Sequence, residues 1–166
     1  SKEYMKRFRP DLADYKTTNQ PGATGDGLKL AEGVGGELMQ MDLVQVHPTV
    51  QQDNPHVYLI GEAVRGEGAI LVNAEGNRFV NELNTRKIVS NAITALPEHS
   101  AYLIFDQGIR DHAKAIEFYD KVGLVVHGDT IEVLAKNVNM DPENLKKTVA
   151  TWNEAVENHD DKEFHR

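Results

Sequence analysis

Residues 57–72, Val57-Tyr58-Leu59-Ile60-Gly61-Glu62-Ala63-Val64-Arg65-Gly66-Glu67-Gly68-Ala69-Ile70-Leu71-Val72, decide the fold class. Two short apolar runs, 57–60 and 69–72, flank a charged, glycine-rich link, and each reads as a strand bounded by turn formers. Outward from them, strands are expected at 43–46, 102–105 and 124–126, and helices near 27–34, 85–95, 107–119 and 130–137. Strands and helices mix without the steady βαβ rhythm of a doubly wound sheet. The spacing therefore predicts an α+β domain, a short mixed or antiparallel sheet with surrounding helices. No segment repeats at the ~20–50-residue period of a solenoid or propeller.

Towards the chain ends the pattern changes. Residues 1–23 are polar and close on the turn signal Asn19-Gln20-Pro21-Gly22, which reads as a connector rather than a domain start. At the other end, Asp141 can cap a helix, Pro142 suits its first position and Glu143 favours its dipole. Leu145, Val149, Trp152 and Val156 then share one face, with Trp152 the expected core anchor. The charged tail His159-Asp160-Asp161-Lys162-Glu163 is expected to leave the fold.

Composition limits the function. A chain of 166 residues is close to one domain in length, and about two-thirds of its unfolded surface can be buried. Its net charge of −8 disfavours nucleic acid, whose phosphates need a clustered basic surface. No apolar run approaches the ~20 residues of a membrane helix. The absence of cysteine excludes disulfides, thiol catalysis and thiolate metal sites, and no metal site is expected. The opening SKEYMKRFRP lacks the apolar stretch of a signal peptide, which leaves cytoplasm and periplasm both open.

Three stretches can carry chemistry. In Gly22-Ala23-Thr24-Gly25-Asp26-Gly27, glycines open a helix whose free N–H groups suit a polar or anionic ligand; a plain turn capped by Asp26 explains the same residues. The G-x-G-x-x-G dinucleotide turn occurs nowhere in the chain. In Gln45-Val46-His47-Pro48-Thr49, a histidine sits where an expected strand empties into a loop, placed to bind a carboxylate or to serve structurally. In residues 61–86, Glu62 and Arg65 lie three apart, close enough to pair on one helical turn. Arg78 and Arg86 follow, with Glu75 and Glu82 beside them. Convergent arginines suit a small dianion, and interleaved carboxylates suit proton movement.

In this order, TTNQPGATGDG (17–27), QVHPT (45–49), EAVRGEGAILVN (62–73), EGNRFVNE (75–82) and the Thr85-Arg86 pair resemble the flavoprotein fumarate reductases of the soluble, single-subunit and flavocytochrome c type. The resemblance runs from about Thr17 to Phe164. It implies a capping (clamp) domain at 24–166, with residues 1–23 as a connector at the edge of the FAD-binding domain. It also implies that FAD is held mainly by a domain outside this chain, so that the isolated 166 residues are inactive. Carried over residue by residue, Asp26 with Gly25 and Gly27 contacts FAD, while His47, Glu62 and Gly61 lie at the substrate. Arg86 donates the proton as hydride arrives, and Glu62 with Arg65 reloads it. The implied partners are a small dicarboxylate and the FAD-binding domain of the same polypeptide.

The chemistry behind that resemblance is sound. Hydride addition to an activated alkene leaves a strongly basic carbon beside a carboxylate, so a held guanidinium can protonate it. Its charge also stabilises the developing negative charge.

Three features depart from the family pattern. Gly61 stands where relatives carry threonine, Lys87 follows Arg86 where aspartate is common, and the loop from Val50 to Pro55 is slightly longer. These bear on the substrate more than on the reaction type. The alternatives are a reductase of another α,β-unsaturated carboxylate, a 3-ketosteroid dehydrogenase-like flavoprotein, and a non-catalytic ligand-binding or interaction domain.

Overall fold

The computed structural model describes all residues, 1–166, as two compact units. One comprises Ser1–Val46 and Val50–Leu59; the other comprises His47–Thr49 and Ile60–Arg166. The architecture is α+β, as the irregular alternation predicts, with eight α-helices and two small antiparallel sheets.

In the first unit, α1 (Lys2–Phe8) and α2 (Asp26–Gly33) are joined through side chains. The buried Tyr4 donates its hydroxyl to Glu32 at 2.6 Å, and Arg7 reaches the other Glu32 oxygen at 2.7 Å. Residues 1–23 open with helix α1. Strands β1 (Val50–Gln51) and β2 (Tyr58–Leu59) pair antiparallel, with Val50 opposite Leu59. The strand expected at 43–46 does not form. The backbone there lacks strand geometry, Leu43 is 71% exposed, and the N–H groups of Leu43 and Val44 bond back to the Gln40 and Asp42 carbonyls.

The second unit is built on α3 (Glu62–Gly66), β3 (Ile70–Val72), α4 (Arg86–Thr94) and β4 (Tyr102–Ile104). Helices α5 (Gln107–His112), α6 (Ala115–Lys121), α7 (Ile131–Asn137) and α8 (Pro142–Asn158) complete it. Strand β3 pairs antiparallel with β4 in the register Ile70–Ile104, Leu71–Leu103, Val72–Tyr102. All three β3 side chains are buried, alternating between two clusters. Ile70 and Val72 pack with Ala135, Met140 and Leu145, while Leu71 packs with Val80, Val89 and Ile93. A third cluster joins Val64 and Ala69 to Ala113, Ile116 and Tyr119.

Two expectations fail here for packing reasons. The helix expected over 107–119 breaks into α5 and α6 because Ala113 leaves helical geometry (φ −93°, ψ 77°) and is buried in the third cluster. Residues 124–126 form no strand; Leu124 and Val125 pack against that cluster without a ladder. The last helix starts as read, with Asp141 Oδ1 accepting the N–H groups of Glu143 and Asn144. Its buried face ends at Trp152, since Val156 is exposed.

The turn after β3 sets up the buried charges described below. Asn73 accepts the N–H groups of Glu75 and Asn77 on its side chain, and Val72 bridges to Arg78. Gly76 makes this turn at φ +89°, where an added Cβ would lie 3.1 Å from Met140 Sδ and 3.3 Å from the Leu145 nitrogen. Gly76→Ala is expected to destabilise the protein by about 1–2 kcal/mol or more, from the left-handed backbone and the crowding together. Chemical denaturation checks this, and an unchanged midpoint would count against it.

Candidate functional site

Helix α3 is a single turn defined at both ends. Gly61 precedes it in extended geometry (φ −62°, ψ 155°), and Glu62 places an acid in its first turn. It ends where Gly68 (φ +124°) donates to the Arg65 carbonyl and Ala69 donates to the Val64 carbonyl, a paired closure that favours glycine. The i,i+3 spacing puts Glu62 and Arg65 on one face, with Arg65 Nη2 3.6 Å from Glu62 Oε1. Helix α4 begins at Arg86 because Thr85 caps it, its hydroxyl oxygen accepting the Ile88 N–H at 3.3 Å.

Arg86 and Glu62 meet as a two-point pair, Nε to Oε1 at 2.6 Å and Nη2 to Oε2 at 2.9 Å. The hydrogen bonds from Arg86 hold the Glu62 carboxyl down at about 2, and burial only partly opposes them. The same pairing raises the pKa of Arg86. Both side chains reach solvent, whereas Arg65 is 3% exposed. Arg65 Nη1 donates to the Glu82 carbonyl at 2.7 Å, and its Nε and Nη2 lack a hydrogen-bond partner. Burial lowers the Arg65 pKa, and Glu62 opposes that shift.

His47 is half-buried beside these charges. Burial first, then Arg86 and Arg65, push its pKa below the ordinary 6.5, so the ring is neutral at pH 7. Its Nδ1 accepts the Thr49 N–H at 3.3 Å, which leaves the ring hydrogen on Nε2. Thr49 ties the segment down, exchanging bonds with Ile60 at 2.6 and 2.9 Å. Gly61 donates its N–H to the Tyr119 oxygen at 3.0 Å. A Cβ at position 61 would meet only that oxygen, at 3.7 Å, so neither backbone nor space demands glycine.

The structure thus gathers His47, Gly61, Glu62, Arg65 and Arg86 within the second unit. Gly25, Asp26 and Gly27 belong to the first unit. Gly25 is left-handed (φ +83°), and Asp26 and Gly27 open α2, which no side chain caps. With the Asp26 carboxylate exposed, no side chain capping the helix and open space around Gly27, this end has room for hydroxyl-bearing parts of a dinucleotide such as FAD.

Sequence reading missed what lies behind Arg65. The tail does not leave the fold, because Asp161 is buried and Arg166 Nη1 reaches Glu82 Oε2 at 3.1 Å. Arg78 Nε and Nη2 donate to the Glu82 carboxylate at 2.9 and 2.8 Å, and Nη1 and Nη2 donate to Asp161 at 3.1 and 3.0 Å. The Arg78 guanidinium also lies 4.5 Å from the Trp152 ring centre, with Arg166 at 4.8 Å. The i,i+4 spacing of Arg78 and Glu82 was a local signal for one of these pairs. Nothing local marks Asp161 or Arg166, which are far from their partners in sequence.

A neutral ring donor thus lies beside two arginines that share one carboxylate. The chain belongs to the FAD binding domain family, which matches residues 2–166. It is 46% identical over 160 residues to an NADH:fumarate oxidoreductase of Klebsiella pneumoniae (strain 342), covering 96% of this chain and 17% of that protein. It is 43% identical over 164 residues to a fumarate reductase (cytochrome) of Shewanella frigidimarina, covering 99% of this chain and 28% of that protein. Among solved structures, the open conformation of a flavocytochrome c3 fumarate reductase superposes with a TM-score of 0.81 at 41% identity, covering 99% of this chain and 29% of that one. The chain spans less than a third of the length of these relatives. The family match over 2–166 conflicts with the expectation that FAD is held mainly outside this chain, since the family's FAD-binding region includes nearly all of it. No helix is long and apolar enough to cross a membrane.

Proposed function

We propose that this chain forms the substrate-binding part of an FAD-dependent fumarate reductase, in which Arg86 protonates the alkene carbon and Glu62 with Arg65 returns the proton. The observation that carries the reading is the Glu62 carboxylate held by both Arg86 oxygen-facing nitrogens, with the Arg65 guanidinium behind it. In this reading residues 24–166 act as the capping, substrate-side domain, and residues 1–23 mark the edge of the flavin side.

FAD, when bound, supplies the hydride. The chain's own residues do the rest. Two arginines and one glutamate leave a net positive charge, which attracts a dicarboxylate. His47, neutral with its hydrogen on Nε2, donates to one carboxylate of the substrate without competing for its proton. As hydride adds to one alkene carbon, the other carbon becomes basic enough to take a proton from Arg86. Neutral arginine is strongly unfavourable at pH 7, so Arg65 must pass a proton to it at once through the Glu62 carboxylate, and a proton from water at the solvent-exposed Glu62 then restores Arg65.

The test is fumarate reduction by the full-length, FAD-loaded protein with a reduced dye as donor. Succinate formation is expected; none, with FAD bound, would overturn the reading. In the same assay, Gly61→Thr is expected to fold and to lower the KM for fumarate by ~10-fold, the effect of one hydroxyl bonded to a carboxylate. A raised KM would mean that position 61 faces away from the substrate.

A further inference from the structure

We propose that Arg166 and Glu82 form a clasp that positions Arg65 against Glu62, so that the segment 161–166 sets the reach of the proton path. This rests on the reading that Arg65 serves proton return to Arg86. The clasp is a closed ring of contacts. Arg65 Nη1 donates to the Glu82 carbonyl at 2.7 Å, and Arg166 Nη2 donates to the Arg65 carbonyl at 2.6 Å. Arg166 Nη1 closes the ring on the Glu82 carboxylate at 3.1 Å and also holds the Ala69 carbonyl at 2.8 Å. Arg65 is therefore gripped at its side chain and at its main chain.

Glu82 is the fixed point of that ring. It is fully buried, and its carboxylate also accepts Arg78 twice and the Leu71 N–H of β3 at 3.2 Å. Through Leu71 it is tied to the central strand; through Arg78 it is tied to Asp161. Asp161 in turn accepts the N–H groups of Glu163, Phe164 and Arg166, which fixes the turn that delivers the Arg166 side chain.

What the grip leaves free makes position matter. Arg65 Nε and Nη2 are buried without a hydrogen-bond partner, and Nη2 stands 3.6 Å from Glu62 Oε1, just beyond hydrogen-bond length. A shift of a few tenths of an ångström closes or breaks that step. Arg166 and Glu82 touch neither substrate nor cofactor in this account; they are positioning residues. A one-turn helix such as α3 has few bonds of its own to fix Arg65, so its geometry depends on these outside partners.

The experiment is a double-mutant cycle in the FAD-loaded protein, with fumarate reduction and bound FAD both measured. Arg166→Ala is expected to lower kcat by about 10- to 100-fold while KM changes less than about twofold, as for a misplaced catalytic group. In an Arg65→Ala background the same substitution is expected to cost less than about twofold more, because the group it positions is gone. Arg166→Lys, which keeps the charge towards Glu82 but loses the fork, is expected to recover part of kcat. Unchanged kcat in Arg166→Ala, or an equal loss in both backgrounds, would overturn the clasp. Should Arg166→Ala fail to bind FAD, the cycle is read with Arg166→Lys and the same two outcomes apply. If Arg65→Ala alone leaves kcat unchanged, it is the proton-path reading that fails, and the clasp with it.

Discussion

Arg86→Ala in the FAD-loaded protein is expected to cut fumarate reduction by at least ~10²-fold while FAD stays bound. The size is that expected for loss of a general acid, the role proposed for Arg86. Retained FAD follows from location, since Arg86 opens α4 of the second unit and its partner is Glu62. Arg86→Lys keeps the charge but loses the planar fork that spans both Glu62 oxygens, so an intermediate rate is expected. Glu62→Gln should lower the rate as well, because an amide cannot pass the proton on. Stopped-flow measurement of flavin reoxidation by fumarate checks all three. Near-normal reoxidation in Arg86→Ala would remove the proton-donor role.

Arg78→Ala is expected to be the most destabilising single change in the second unit, by about 3–5 kcal/mol. Arg78 is 2% exposed and answers two carboxylates, Glu82 and Asp161, both buried. Burial pulls its pKa down, but bonds to those carboxylates outweigh burial and raise it, so it remains charged. Removing it strands two negative charges in the interior with only Arg166 to answer them. It also uncovers the face of Trp152, the chain's single tryptophan, whose emission reports the transition. Urea denaturation followed at Trp152 checks the loss, and a midpoint close to that of the parent protein would contradict it.

The same network has a defined pH dependence. Burial alone would raise the Asp161 pKa, yet Arg78 and the backbone N–H groups of Arg166 and Phe164 hold it below the usual aspartate value. Its stabilising contribution is therefore complete above the unfolded value near 3.8 and is lost as pH falls through the lowered folded one.

Much of the candidate site was legible because its spacing is local. Glu62 and Arg65 are three apart on one turn, Thr85 caps the helix that Arg86 opens, and Asp141 caps α8. Each depends on bonds within a few residues, and such bonds leave a mark in the order of residue types. The strands at 70–72 and 102–104 were legible for the same reason, as short apolar runs between turn formers. The run at 43–46 looks alike and forms none, because a strand needs a partner and an apolar run does not specify one.

The sequence by itself determined the α+β class, the approximate starts of α2, α4, α5, α7 and α8, and the set of arginines and carboxylates from which the proposed site is drawn. Only the tertiary structure decided that Glu62 joins Arg86 across 24 residues, and that the charged tail turns inward to bring Asp161 to Arg78 and Arg166 to Glu82 across 83 and 84. The reason is physical: a charged side chain looks the same in sequence whether solvated or buried. Its fate is set by whether a distant partner arrives to satisfy it.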